Sequence, residues 1–252
     1  MRLILLGTGG CFATPRRKAP AALVDCAGGQ WLIDCGEDAW RSLAEAGYDG
    51  NEIDGILLTH YHLDHTGGLA SLLFGLWAQK RRLKPLTIVG PPGLSRLALG
   101  LPMAFGDWLD ELDFTLDWRE VAPPATVMLH DELRVRCVEV VHSRKLTCVG
   151  YRLEAEGKIL AVSGDTELCP GLVELAAGAD VLLAEAGTPD DAPRPGHVTP
   201  SALGAMAAEK GVRRIILTHF AIPPQAEMLR QATEKTFGGP VSAAADGDVF
   251  EI

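Results

Sequence analysis

Residues 56 to 68 read ILLTHYHLDHTGG and crowd His60, His62, Asp64 and His65 together directly after an apolar, strand-like run. Polar groups taken out of water must each find a partner or cost free energy, so a purely structural core has little use for such a cluster. A metal ion supplies the partner. His60 and His62, two apart on a tight loop, can chelate one ion, while Asp64 and His65 can turn toward a second. Zinc takes imidazole nitrogen at ~2.0–2.1 Å and carboxylate oxygen at ~2.0–2.2 Å. Two ions ~3.5–4 Å apart can share a bridging carboxylate and a bridging hydroxide.

The rest of the chain offers donors at matching places. Four strand-like runs end in a metal-competent or acid-base side chain: Thr59 then His60, Val141 then His142, Ser163-Gly164 then Asp165, and Thr218 then His219. In α/β architectures the loops beyond strand ends gather residues distant in sequence around one cleft. One cleft is therefore expected, with Asp165, after ILAVSG, as the natural bridge. His130 stands alone and reads as structural.

The elements that must position these residues follow from periodicity. Strands are expected over 2–7, 21–26 and 30–35, the last two joined by a Gly-rich turn, then a helix over 38–46 closed by Gly47. Further strands are expected at 55–59, 86–90, 125–129, 133–141, 158–163, 180–186 and 213–218. Helices are expected at 68–80, 92–100, 170–177, 200–210 and 224–235. The stretch 101–122, with Trp108 and Trp118, fits neither pattern. Strands alternating with helices describe sheets covered by helices. The Pro-rich stretch GTPDDAPRPGH at 187–197 reads as a surface loop, and with no linker elsewhere the expectation is a single domain over 1–252.

Composition narrows the partners. With 47% hydrophobic residues the chain can bury a large core, and a net charge of -10 argues against a broad nucleic-acid footprint. Arg16, Arg17 and Lys18, then Lys80, Arg81, Arg82 and Lys84, then Arg144 and Lys145 form short basic patches that read as solvated surface charge. No run approaches the ~20 apolar residues of a spanning helix, which predicts a cytoplasmic protein. Six cysteines without CxxC spacing indicate neither a disulfide framework nor a cysteine zinc site. Cys26 and Cys35 flank the AGGQ turn, a placement that allows them to lie near each other, and buried thiols are the expected state.

The segments THYHLDH, SGDT at 163–166 and LTHF at 217–220 resemble the metallo-β-lactamase superfamily, over nearly the whole chain. LLGTGG at 5–10 and LIDCGE at 32–37 look like its phosphodiesterase branch, which includes ribonuclease Z and the cyclic phosphodiesterase of phosphonate breakdown. The resemblance implies a four-layer αββα sandwich of the α/β (α+β) class with a dinuclear site at one edge. By motif, His60, His62 and His142 would hold one metal, Asp64, His65 and His219 the other, and Asp165 would bridge. GHVT at 196–199 looks like the branch's proton-donor motif, and LLAEA at 182–186 like the segment whose acid orients it. His197 and Glu185 thus form an implied acid-base pair, their structural alternatives being a loop histidine and a strand-end glutamate.

Departures from the pattern shape the expected function. Ribonuclease Z carries a tRNA-gripping arm after the strand that follows the His142 position, whereas GYRLEAEGKILAVSGDT has only a short turn there. The phosphonate-pathway enzyme has a cysteine-rich zinc site where this chain has Cys11 and ATPRRKAPAA. The expectation is a metal-dependent hydrolase, a phosphodiesterase acting on a small phosphodiester or cyclic phosphate rather than on tRNA. Asp64 would orient the nucleophile, His197 would protonate the leaving group, and Arg16, Arg17, Arg144 or Lys145 would hold a phosphate oxygen. Two divalent ions are implied, zinc first, with manganese or iron as alternatives. A lactonase or other carboxylic-ester hydrolase and a non-catalytic metal-binding protein are the competing readings, and a homodimer is left open.

Overall fold

A computed structural model of the chain describes residues 1–12, 14–185, 187–221 and 225–252. Ala13 of ATPRRKAPAA, Ala186 at the end of the 180–186 run and Pro224 at the start of the helix expected over 224–235 lie outside them. Strands β1 (Arg2–Gly7), β2 (Ala21–Cys26), β3 (Gly29–Ile33), β4 (Gly55–Leu57), β5 (Leu86–Gly90) and β6 (Leu116–Glu120) form one sheet with β14 (Val249–Glu251), ordered β14-β1-β2-β3-β4-β5-β6. Strands β7 (Ala125–His130), β8 (Leu133–Val140), β9 (Cys148–Ala155), β10 (Lys158–Val162), β11 (Val181–Glu185), β12 (Arg214–Thr218) and β13 (Val241–Ala243) form the other, ordered β13-β12-β11-β10-β9-β8-β7. Helices α1 (Ala39–Glu45), α2 (Leu63–Thr66), α3 (Leu69–Gln79) and α4 (Leu94–Phe105) lie between strands of the first half, and α5 (Pro170–Ala176), α6 (Pro200–Glu209) and α7 (Ala226–Phe237) between those of the second.

Three apolar cores make four layers. Leu3, Leu5, Val24, Trp31 and Leu57 meet Val135, Tyr151, Leu153 and Leu183 between the two sheets. Leu23, Leu32, Ile56 and Ile88 turn the other way, onto Leu43 of α1 and Leu69, Leu72 and Leu76 of α3. Ala161, Leu182, Ile215 and Leu217 pack against Leu172 of α5, Leu203 of α6 and Leu229 of α7. Alternation of inward side chains between two faces is what period-2 strands covered on both sides require. This is the αββα sandwich that the sequence leads one to expect.

Strand direction then decides where the chemistry sits. β3, β4, β5 and β6 run parallel, and β1, antiparallel to β2, shares their direction. In the other sheet β10, β11 and β12 run parallel and β8 shares their direction through the antiparallel β9. The C-terminal ends of β4, β8, β10 and β12, which precede His60, His142, Asp165 and His219, are therefore carried on the same-facing edge of each sheet.

Several boundaries differ from the sequence reading. β3 stops at Ile33 rather than residue 35, because Asp34 turns out of the ladder with φ 58. The 92–100 helix runs on through Pro102 to Phe105, where Gly106 at φ 89 closes it. The unassigned stretch 101–122 holds a 3-10 turn at Asp107–Glu111 and β6. Register pairs Cys26 with Gly29 and Ala22 with Ile33, which puts Cys26 and Cys35 at opposite ends of the hairpin, not side by side. Arg82 is not solvated surface charge: it is buried, and its guanidinium donates to the carbonyls of Asn51 (2.8 Å), Ile53 (2.8 Å) and Pro85 (2.5 Å). Among the described residues no helix is long and apolar enough to cross a membrane.

Candidate metal centre

Side chains spread from His60 to His219 meet at this edge. His60 Nε2 lies 3.0 Å from His62 Nδ1, and His142 Nε2 lies 3.1 Å from the same atom. On the other flank His65 Nε2 is 3.3 Å from His219 Nε2, and Asp64 Oδ2 is 3.4 Å from His219 Nε2. Asp165 spans the two, with Oδ1 3.5 Å from His65 and Oδ2 3.3 Å from His219 and 3.7 Å from His142. His60, His62 and His142 thus form one cluster of donor atoms and Asp64, His65 and His219 another.

The crowding fits cations better than hydrogen bonds. His62 Nδ1 faces two imidazole nitrogens at once, and one proton can satisfy only one of those contacts. Two ligands ~2.0–2.1 Å from a common tetrahedral ion stand about 3.3 Å apart, the spacing class seen here. Protonation states agree. Burial is the foremost cause holding His60, His62 and His142 below the usual histidine range, which leaves neutral, lone-pair-bearing rings. Burial would raise the Asp165 carboxyl, but His219 and His65 outweigh it and keep it well below the ordinary range. Burial would likewise lower His65 and His219; Asp165, with Asp34 and Asp64 respectively, raises them instead. The central carboxylates therefore demand positive charge, which protons on two histidines or a divalent cation can supply.

The surrounding contacts orient the donors. Asp34, buried, takes the Nδ1 proton of His65 at 2.7 Å while accepting from the backbone N–H (2.8 Å) and hydroxyl (2.9 Å) of Thr59. Its positive φ, a strain of order 1–3 kcal/mol, is what aims it away from the strand. His219 sits in the same left-handed region at φ 59. The loop after β1 is stitched beneath it: Phe220 N–H donates to Thr8 O, and Asp246 accepts from the Thr8 and Lys18 N–H groups. Gly10 consequently lies against the His219 ring, where an added Cβ would come within 3.1 Å. His142 Nδ1 is tied to Gly196 O at 2.9 Å.

His197 and Glu185 also come together. His197 Nδ1 is 2.6 Å from Glu185 Oε2, and the His197 ring centroid is 4.9 Å from that of His142. Glu185 accepts from Thr166 N–H at 2.6 Å, which ties it to the residue after Asp165. Burial, then Asp165, raises the Glu185 carboxyl well above the usual range, and burial lowers His197.

Not every expected residue faces the centre. Arg17 is a clamp, its guanidinium bonded to Thr8 and Ala244 O and stacked 4.3 Å over Phe220. Sequence reasoning gave Asp34, Thr59, Thr166 and Gly10 no role. The DCGE that follows an apolar run was the available signal for Asp34.

A model described as a β-lactamase superfamily domain matches residues 30–220, from β3 to just past His219. The chain belongs to the β-lactamase superfamily. Ribonuclease Z of Mycobacterium marinum is 30% identical over 277 aligned positions that cover 100% of this chain and 99% of the relative, which places this superfamily member in the phosphodiesterase branch. The crystal structure of human tRNase Z, short form, is 26% identical with a TM-score of 0.80, covering 100% of this chain and 99% of that one. The metallo-β-lactamase fold protein YhfI from Bacillus subtilis has a TM-score of 0.85 at 20% identity, over 99% of this chain and 98% of that one, a likeness of fold. Membership makes the protein a metal-dependent hydrolase of the phosphodiesterase type, and the clustered donors are the part of the chain suited to the metal.

Proposed function

We propose that the protein hydrolyses a small phosphodiester or cyclic phosphate, as one domain, with two divalent ions. His60, His62 and His142 would hold one, Asp64, His65 and His219 the other, and Asp165 both; the imidazole-rich donor set favours zinc, with manganese or iron as alternatives. The observation that carries the reading is the His197–Glu185 pair beside His142 and Asp165. A proton donor built next to the donor cluster suits an alkoxide leaving group, which a diester provides.

The chemistry that divalent ions would supply, held by these side chains, is Lewis acidity: a water acidified toward neutrality and charge on the phosphoryl oxygens offset. Asp64 would accept a hydrogen bond from the attacking water and so orient it. His197, with Nδ1 held by Glu185, would protonate the departing oxygen from Nε2, and the Glu185 carboxyl group at 2.6 Å would return a proton to Nδ1. General acids of this kind typically contribute about 10²–10⁴-fold.

Two features support a small substrate over tRNA. β9 passes to β10 through Glu156 and Gly157 alone, both at positive φ, where the ribonuclease Z resemblance calls for an arm. The 277-position alignment with the mycobacterial relative exceeds the 252 residues of this chain, so that relative carries segments absent here.

The test is a leaving-group comparison. H197A should retain its metals and lose about 10²–10³-fold in kcat on a diester with a poor alkoxide leaving group, and less than about tenfold on bis-p-nitrophenyl phosphate. Equal losses on both would remove the proton-donor role. Hydrolysis of a simple lactone with none of either diester would replace the phosphodiesterase reading with a lactonase.

A further inference from the structure

His197 stands at the end of a tight turn, and part of what fixes that turn comes from another strand end. Arg194–His197 has the signature of a type II turn: Pro195 is second, Gly196 is third at φ 80, and His197 N–H donates to Arg194 O at 3.2 Å. Gly196 is buried, and both of its backbone polar groups are taken. Its carbonyl accepts the Nδ1 proton of His142 at 2.9 Å, which leaves His142 Nε2 for the donor cluster, and its N–H donates to Glu167 Oε2 at 3.0 Å. A Cβ on Gly196 would come within 2.4 Å of His142 O, so the turn lies directly on the His142 backbone.

Glu167 is itself anchored at its backbone. It follows Asp165 and Thr166 in the loop after β10, and its N–H donates at 2.9 Å to Val141 O, the carbonyl just before His142, while Val141 N–H donates to the Thr166 hydroxyl at 3.1 Å. Backbone and carboxylate of this one residue therefore join the loops that carry Asp165, His142 and His197. Among the described residues Glu167 takes part in no ion pair, so its charge is spent on the Gly196 N–H. A bond of that kind, charged acceptor to backbone donor, is stronger than a neutral one. Removing it would leave a buried N–H unpaired, and the turn could relieve that only by moving out toward water, taking His197 away from the cluster.

We infer that Glu167 is a positioning residue for the reaction: by holding Gly196 it keeps the turn docked on His142 and so holds His197 beside the metal cluster. The inference rests on the proton-donor reading of His197, and two readouts on the metal-loaded full-length protein separate them. Amide hydrogen exchange tests the contact alone. E167A should speed exchange at Gly196 and His197 at least about tenfold, E167M, which keeps the length without the acceptor, should do the same, and E167Q, which keeps an acceptor oxygen, should stay within about threefold of the parent. Turnover tests what the contact does. E167A and E167M should lose about tenfold in kcat on the diester with a poor alkoxide leaving group, with KM changed less than about twofold, and less than about threefold on bis-p-nitrophenyl phosphate; E167Q should recover most of the loss. Unchanged exchange in E167A and E167M, or equal losses on the two diesters while H197A loses selectively, overturns the inference and leaves the proton-donor reading standing. Equal losses in H197A overturn both.

Discussion

At the scale of single residues, side chains that touch the donors without being donors set the geometry of the centre. Asp34 fixes the His65 ring through its Nδ1 proton and is itself fixed by Thr59. Such outer contacts are commonly worth 10–100-fold in metal affinity. D34N keeps the volume but replaces one acceptor oxygen by a donor, so competition with a chelating dye should show at least about tenfold weaker metal binding. Gly10 acts by having no side chain. Because a Cβ would lie 3.1 Å from the His219 ring, G10V should displace that ring and weaken metal binding by about tenfold, with circular dichroism unchanged. Much of this level was readable: His60, His62, Asp64, His65, His142, Asp165 and His219 stand out by type and spacing, and the fold brings them within one cluster. Asp34 is legible only in part: DCGE after an apolar run marks it, but its turn away from the strand shows only in its positive φ.

At the scale of elements, the sequence predicts strands and helices better than it predicts where they stop. β3 and β4 end early because Asp34 and Thr59 leave the ladder to bond each other, a tertiary demand that no propensity encodes. The basic stretch 80–84 misleads for a similar reason. Arg82 is drawn inside to serve carbonyls of the loop before β4 and of Pro85, just ahead of β5. R82A would strand three carbonyls, each costing about 1–3 kcal/mol when left unsatisfied. Urea denaturation should show at least about 3 kcal/mol of lost stability. Metal content of the folded fraction should not change, since the clamp lies at the opposite ends of β4 and β5 from the cluster.

At the scale of the whole molecule, two sheets that share no strand each bring one edge to the same place. Sheet order and crossover direction cannot be read from local pattern, yet the rule that active residues follow strand C-termini in α/β folds anticipated one cleft. Binding there ties the sheets together, and a ligand that binds only the folded state stabilises it by mass action. The most direct measurement is therefore elemental analysis of the purified protein joined to hydrolysis of bis-p-nitrophenyl phosphate, before and after chelation and metal return. The expected result is about two divalent ions per chain, loss of turnover and of thermal stability together on chelation, and recovery of both with added zinc or manganese. A protein that takes up no ion, or that hydrolyses the diester equally well after its ions are removed, contradicts it.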